Sequence, residues 1–292
     1  MFSFAKLLVP VEFSDRCLKT ARYLAHPMAE HFNSEITLLH VMPPYYYEIT
    51  TPELVTPLPK EFIAEQLAHA KQRLDTFLSK EVGVRRIKRI LLEGDPAREI
   101  VEYAHKDNSS LIVMPTHGYG PFRRLLLGSV TSKVLHDADC PVLTAAHTEN
   151  VPPTTSLSLD QVLCAIDLGP HSAKTLAWAG CLASEFKAKL TLVHVITSLD
   201  PRTQEFYFAP EWRTHVLDQA RADIQQLQEK VGTHAEVDLE MGEVAKSICF
   251  VANHRKVDLM VIGRGLAAGV LGRFRTNAYA IIRESPCPVV SV

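Results

Sequence analysis

With 292 residues, 47% of them hydrophobic and 22% charged, the chain has the composition of a folded globular protein and is longer than a single domain of ordinary size. Its formal charge of −2, from 17 basic against 17 acidic residues in 1–147 and 14 against 16 in 148–292, argues against nucleic acid as a partner, and no apolar run is long enough to span a membrane. Six cysteines without a CxxC pair or a Cys/His ligand spacing point to a reducing, cytoplasmic setting and offer no metal site.

LLVPV at 7–11 is a short continuous apolar run, the pattern of a parallel strand covered on both faces. Ser14 is placed to cap a helix whose core stripe is Leu18, Ala21, Ala25, Met28, Ala29 and Phe32. A second buried strand, ITLLHVM, follows at 36–42. Residues 43–59, rich in Pro and including Tyr45, Tyr46 and Tyr47, break both periods and read as a surface excursion before a helix from about Glu61 to Lys80. IKRILLE at 87–93 is a third strand, and the basic cluster Arg85, Arg86, Lys88 and Arg89 leading into it reads as a charged sheet edge. Gly94, Asp95 and Pro96 supply a turn, an acidic cap and a first-turn proline for a helix to about Lys106, and LIVMP at 111–115 is the fourth strand.

The second half repeats this order. VLCAID at 162–167, a helix from about Ser172, LTLVHVI at 190–196, a second excursion, a helix from about Glu211, AEVDLEM, Gly242-Glu243, a helix and LMVIG at 259–263 follow in turn. Counting back from the two Cys-Pro-Val stretches pairs Cys140 with Cys287, Ser129 with Thr276, Gly128 with Arg275 and Gly118 with Gly265. Strands alternating with helices predict a doubly wound parallel sheet in each half, and a ligand of such a sheet sits beyond the carboxyl ends of its strands.

That rule selects Val11 and Glu12, Val41 and Met42, Gly94, and the loop from Pro115 to Ser129 as the candidate lining. In the loop, Gly118 and Gly128 enclose nine residues and Ser129 opens a helix, a layout that brings phosphate to free backbone N–H groups. No Gly-Lys-Ser/Thr is present, so this is not a P-loop. His117, Arg123 and Arg124 lie where they can reach phosphate, whereas His40 and His194 read as packed residues of the second strands. No GxSxG, HExxH or comparable catalytic motif occurs, and no catalytic residue is assigned.

VPVEFSD at 9–15, LLHVM at 38–42, EGDP at 93–96 and HGYG followed by LLLGSVTSKVLHDADCPVL, with their counterparts in the second half, resemble the universal stress protein family. The resemblance implies two Rossmann-like domains, each a five-stranded parallel sheet flanked by helices, at 1–147 and 161–292 with a linker at 148–160. It also implies a last strand that pairs at the sheet edge with another domain, inside a tandem chain or in a homo-oligomer. The implied role is a stress-response regulatory module that binds ATP or a related adenine nucleotide, mainly in the first domain, rather than an enzyme.

Carried onto this chain, the family's glycine motif and strand-end acid imply Val11 and Glu12 for the nucleoside end and Gly118, Gly128, Ser129, Val130 and Thr131 for the triphosphate. Val41, Met114, Pro115, His117 and Arg124 complete that pocket. Asp167, Gly263, Gly265, Arg275 and Thr276 form the second. Pro115 replaces the family's first glycine, Glu12 is one methylene longer than the usual Asp, and Arg275 stands where the last glycine belongs. These departures leave two alternatives: a scaffold with closed pockets that binds no nucleotide, and a weak ATPase.

Overall fold

A computed structural model describes residues 2–43, 60–79, 86–117, 127–145, 157–197, 210–264 and 273–292, with the backbone alone at 210–212 and 273–276. Each half contributes five strands: β1 (Lys6–Pro10), β2 (Glu35–Met42), β3 (Ile87–Glu93), β4 (Leu111–Pro115) and β5 (Val142–Ala145), then β6 (Gln161–Ile166), β7 (Lys189–Ile196), β8 (Glu236–Met241), β9 (Leu259–Ile262) and β10 (Val289–Ser291). Within each half all pairings are parallel, in the orders β3-β2-β1-β4-β5 and β10-β9-β6-β7-β8. The last strands meet antiparallel, Leu143 opposite Val290 and Val142 opposite Ser291, so the halves fuse into one ten-stranded sheet. Of the two pairings expected for the last-strand edges, within the tandem chain or in a homo-oligomer, this seam is the internal one. The outer edges are now β3 and β8.

The first helical stretch carries a device the apolar stripe did not announce. Ser14 caps α1 (Asp15–Thr20) by accepting the Cys17 N–H, and α2 (His26–Phe32) begins with Pro27 in its first turn. Between them, Ala21–Ala25 form a π-helical turn in which the His26 N–H reaches back to the Ala21 carbonyl. Proline has no N–H and crowds the carbonyl four residues earlier, and widening the helix by one residue upstream accommodates it without ending the stripe. The other helices are α3 (Lys60–Thr76), α4 (Pro96–Asp107), α5 (Ser129–Asp137), α6 (Ser172–Phe186), α7 (Pro210–Val231), α8 (Val244–His254) and α9 (Arg273–Glu284). Asp95 caps α4 through the Arg98 N–H at 2.9 Å with Pro96 in its first turn.

Two apolar layers sandwich the sheet, and each runs unbroken across the seam. One joins Leu24 and Met28 to Leu176, Leu182 and Ile224, and the other joins Ile100, Val134 and Leu135 to Ile248, Ile281 and Ile282. The central strands β4, β5, β9 and β10 are buried along their whole length, which explains why they read as continuous apolar runs. Side chains also tie the halves together. Arg264 donates to the Ala138 and Cys140 carbonyls at 2.6 and 2.7 Å, Tyr279 Oη donates to the Ser132 carbonyl at 3.0 Å, and Phe2 packs edge-on against Trp178.

Candidate functional site

In the second half, the carboxyl ends of β6, β7 and β9 open on a cleft of about 890 Å³ at the point where the winding reverses. Ile166, Val195, Ile248, Ile262 and Ile281 give it apolar walls, and polar groups converge from Asp167, His194, Thr175 and Asn277. The bend after β6 is tight, because Leu168 adopts a left-handed φ of 58°, which a bulky side chain rarely does. Asp167 Oδ1 accepts the Gly169 N–H at 2.8 Å and the Ser172 hydroxyl at 3.0 Å. The carboxylate is thereby held by its own loop and by the first residue of α6. His194 is held in turn by its Nδ1 on the Ile166 carbonyl at 3.0 Å.

Sheet register makes Pro115 the counterpart of Gly263. Ile112 lies beside Leu8 as Met260 lies beside Leu163, and Leu8 and Leu163 both pair with a threonine of the next strand. The missing side chain matters in the second half, since a Cβ on Gly263 would lie 2.8 Å from Thr175 Oγ1 at the cleft wall.

The first half uses the same backbone bend, with Phe13 at a φ of 64°, but furnishes it differently. The Phe13 ring lies 4.5 Å from the His40 ring, and the Arg73 guanidinium sits over the Phe13 ring, 4.2 Å from its centroid. The counterparts Leu168 and His194 line the open cleft of the second half, so the Phe13 ring stands at the corresponding corner here. Glu12 accepts from the Ser14 hydroxyl at 2.7 Å instead of from a residue inside the helix. Val11 has its N–H on the Leu39 carbonyl and its carbonyl on His40 Nδ1 at 2.6 Å, so its polar atoms are already engaged. Burial holds the His40 imidazole below its usual pKa, against the opposing pull of that carbonyl.

At the other end of this pocket the helix start is built as the glycine spacing predicts. Gly128 is the extended N-cap of α5, and its N–H donates to the Thr116 carbonyl at 2.8 Å. A Cβ there would come within 3.3 Å of Thr116 O and His117 Cα, so the close approach of loop to strand end favours glycine. Ser129, Val130 and Thr131 form the first turn, whose N–H groups have no intrahelical partner. The Thr131 hydroxyl donates to the Pro115 carbonyl at 3.1 Å. His117 is buried beside the Thr116 hydroxyl, and the Val41 and Met114 side chains belong to the core.

Gly118, Arg123 and Arg124, and likewise Gly265, lie outside the described residues, as do the tyrosines of the Pro/Tyr excursion. Arg275 and Thr276 are placed by their backbone, inside α9 rather than before it. Sequence reasoning missed Ser172, Thr175 and Asn277 as cleft residues. For Ser172 a local signal existed, an acid followed five residues later by a hydroxyl at the start of a helix. Asn277 had no such signal. Among the described residues no group of three His, Cys, Asp or Glu side chains could hold a metal ion, and no helix is long and apolar enough to cross a membrane.

Comparison with known proteins places this architecture. The sequence profile of the universal stress protein family matches residues 3–145 and again 159–292. Universal stress protein MJ0531 of Methanocaldococcus jannaschii is 36% identical over 145 residues, covering 48% of this chain and 81% of that protein. Universal stress protein YxiE of Bacillus subtilis is 31% identical over 146 residues, covering 48% of this chain and 97% of its own length. A crystal structure of a universal stress protein from Archaeoglobus fulgidus shares the fold across 98% of this chain and 95% of its own, with a TM-score of 0.72 and 24% identity. Matched twice by one profile, and folded as two copies of one five-stranded unit, this chain belongs to the universal stress protein family as a tandem two-domain member.

Proposed function

We propose that the chain is a binding module for adenine nucleotides, acting in stress physiology by changing an interaction surface when occupied, and turning over no substrate. The observation that carries this reading is the anchored Asp167 at the mouth of the second-half cleft. An exposed carboxylate whose Oδ1 is fixed by two donors, and whose Oδ2 takes no hydrogen bond from the described residues, suits the vicinal hydroxyls of a ribose. The apolar walls beside it suit a purine face. The first-half helix start at Gly128–Thr131 supports anion binding there, with Phe13 seated where the base would lie. The division of the chain at 148–160 and the site residues named above are part of this proposal.

Two measurements test it. Mass spectrometry of the freshly purified, denatured protein is expected to release an adenine compound. Calorimetric titration is expected to detect adenine-ligand binding that Asp167→Asn weakens at least tenfold. A chain that carries no adenine compound and binds none at millimolar concentration would refute the reading and favour the scaffold alternative, for which the Phe13 ring at the first-half corner is the specific support.

A further inference from the structure

The joined sheet ends on two strands that differ in charge. β3 and β8 are its outer edges, and they run antiparallel, because each keeps the direction of its own half and the halves meet antiparallel. The Ile36 N–H donates to the Arg86 carbonyl and the Gly94 N–H to the Met42 carbonyl, so the even-numbered residues from 86 to 94 turn their backbone groups inward to β2. The Gly242 N–H on the Ile196 carbonyl sets the same parity in β8 against β7. The backbone groups of Ile87, Arg89 and Leu91 on one edge, and of Val237, Leu239 and Met241 on the other, therefore point out of the sheet.

Side chains alternate with that parity. On the face covered by α8, β8 carries Glu236, Asp238 and Glu240, the first two held by Arg255. On the same face of the sheet β3 carries Lys88, over the Tyr103 ring of α4, and the exposed Arg86 precedes it. On the opposite face Val237 is 36% exposed and borders, with Leu239, Met241, Leu217 and Ile224, a groove of about 620 Å³ between α7 and β8. Its first-half counterpart by register is Arg89, whose guanidinium turns back to the Leu74 and Phe77 carbonyls, both at 2.9 Å.

Charged edges of this kind resist their own likeness, since β3 against β3 opposes bases to bases and β8 against β8 opposes acids to acids. Unlike edges match. When the sheet of one copy continues into the next with its two faces kept, β8 meets β3 antiparallel. Pairing Leu239 with Ile87 then sets Val237 opposite Arg89, Glu240 opposite Arg86 and Asp238 opposite Lys88. The first two pairs have outward backbones and can exchange N–H···O bonds. The last two are the non-hydrogen-bonded pairs, in which opposed side chains approach most closely.

We infer that the β8 edge is a docking site for the β3 edge of a second copy of this chain, so that copies join through unlike edges into a longer sheet. This contact is separate from the last-strand pairing, which the seam already uses, and is independent of the adenine reading. It is not self-complementary, so each assembly keeps one free edge of each kind and growth continues with concentration. Short strands and surface ion pairs make it weak and salt-sensitive.

Sedimentation velocity of the full chain over a concentration series tests it, at about 0.05 M and about 0.5 M salt, with Arg86→Glu, Glu240→Arg and an equimolar mixture of the two variants. Neither side chain makes a hydrogen bond or ion pair among the described residues, and circular dichroism checks that each variant is folded. The wild type is expected to grow beyond monomer mass with concentration at low salt and to return toward it at high salt. Each variant alone opposes like charges at one cross-strand pair and is expected to weaken association about fivefold. The mixture is expected to regain wild-type association, because the unaltered β8 of the Arg86→Glu chain meets the unaltered β3 of the Glu240→Arg chain, and the two altered edges complement each other. A wild type that stays monomeric throughout the low-salt series overturns the inference. Association that only one variant weakens, or neither, and a mixture that fails to recover, overturn the pairing of unlike edges.

Discussion

Replacing Arg264 with methionine tests whether the seam between the halves is held by specific bonds or only by apolar contact. The side chain leaves the end of β9, and its guanidinium donates to the Ala138 and Cys140 carbonyls just before β5, while its backbone N–H donates to Val292. Each hydrogen bond from a charged donor contributes about 1.5–3 kcal/mol net, so two give about 3–6 kcal/mol. Part of this is offset, because burial disfavours the charged guanidinium and holds its pKa below the usual arginine value, and methionine relieves that penalty while keeping the apolar stem. A net loss of about 3 kcal/mol remains, and at about 2–4 °C per kcal/mol for chains of 150–250 residues the melting temperature should fall by about 6–12 °C. Thermal melts by circular dichroism measure it, with Arg283→Met as the control. Arg283 is partly exposed and, among the described residues, its ion pair is with its neighbour Glu284, a contact worth well under about 1 kcal/mol. If Arg264→Met melts within about 2 °C of the wild type, the two carbonyl bonds do not hold the seam and the reasoning fails.

Three further outcomes are expected. Brief alkylation of the native protein should label Cys181 first, since it is the exposed thiol, and should spare Cys17, Cys164 and Cys287, whose burial pushes their pKa values up to about 12; equal labelling of Cys164 would contradict the packing. Burial lowers the His40 pKa in the folded chain below its ordinary 6.5, so the unfolded chain binds the proton more readily and stability present above that value is lost as pH falls below it. His40→Gln should therefore flatten the fall in melting temperature between about pH 6.5 and 5, and an unchanged slope would remove His40 as its source. Gly263→Ala should destabilise by about 1–3 kcal/mol by pressing a Cβ on Thr175, and by clearly less in a Thr175→Ala background. Equal costs in both backgrounds, measured by urea unfolding, would show that the contact is not the cause.

Much of the fold was legible because its signals are local. Continuous apolar runs marked the strands within a residue or two, and the caps at Ser14 and Asp95 stand where hydroxyl and carboxylate side chains precede helical periods. The π-helical turn was not legible, although its cause, Pro27, is plain in the sequence. A proline can end a helix or be absorbed by it, and the packing of Ala21, Leu24 and Met28 on the sheet decides between them. The early start of α9 follows from composition in retrospect: arginine in place of Gly128 removes a helix penalty of about 1 kcal/mol, and the helix extends toward its N-terminus. The contrast between the two pockets was the least legible feature. Phe13 and Leu168 each simply follow an acid in the sequence, and only the contacts of Phe13 with His40 and Arg73 in the folded chain set the two positions apart.

The antiparallel meeting of β5 and β10 has a consequence for how such a protein can change. In a symmetric pair of separate chains every substitution is made twice, so a residue that fills one pocket fills both. Here the pseudo-symmetric halves are written in one polypeptide, and a substitution at position 13 leaves position 168 untouched. The joined sheet keeps the assembly intact while each half changes on its own, which lets a single molecule carry two differently furnished strand-end sites.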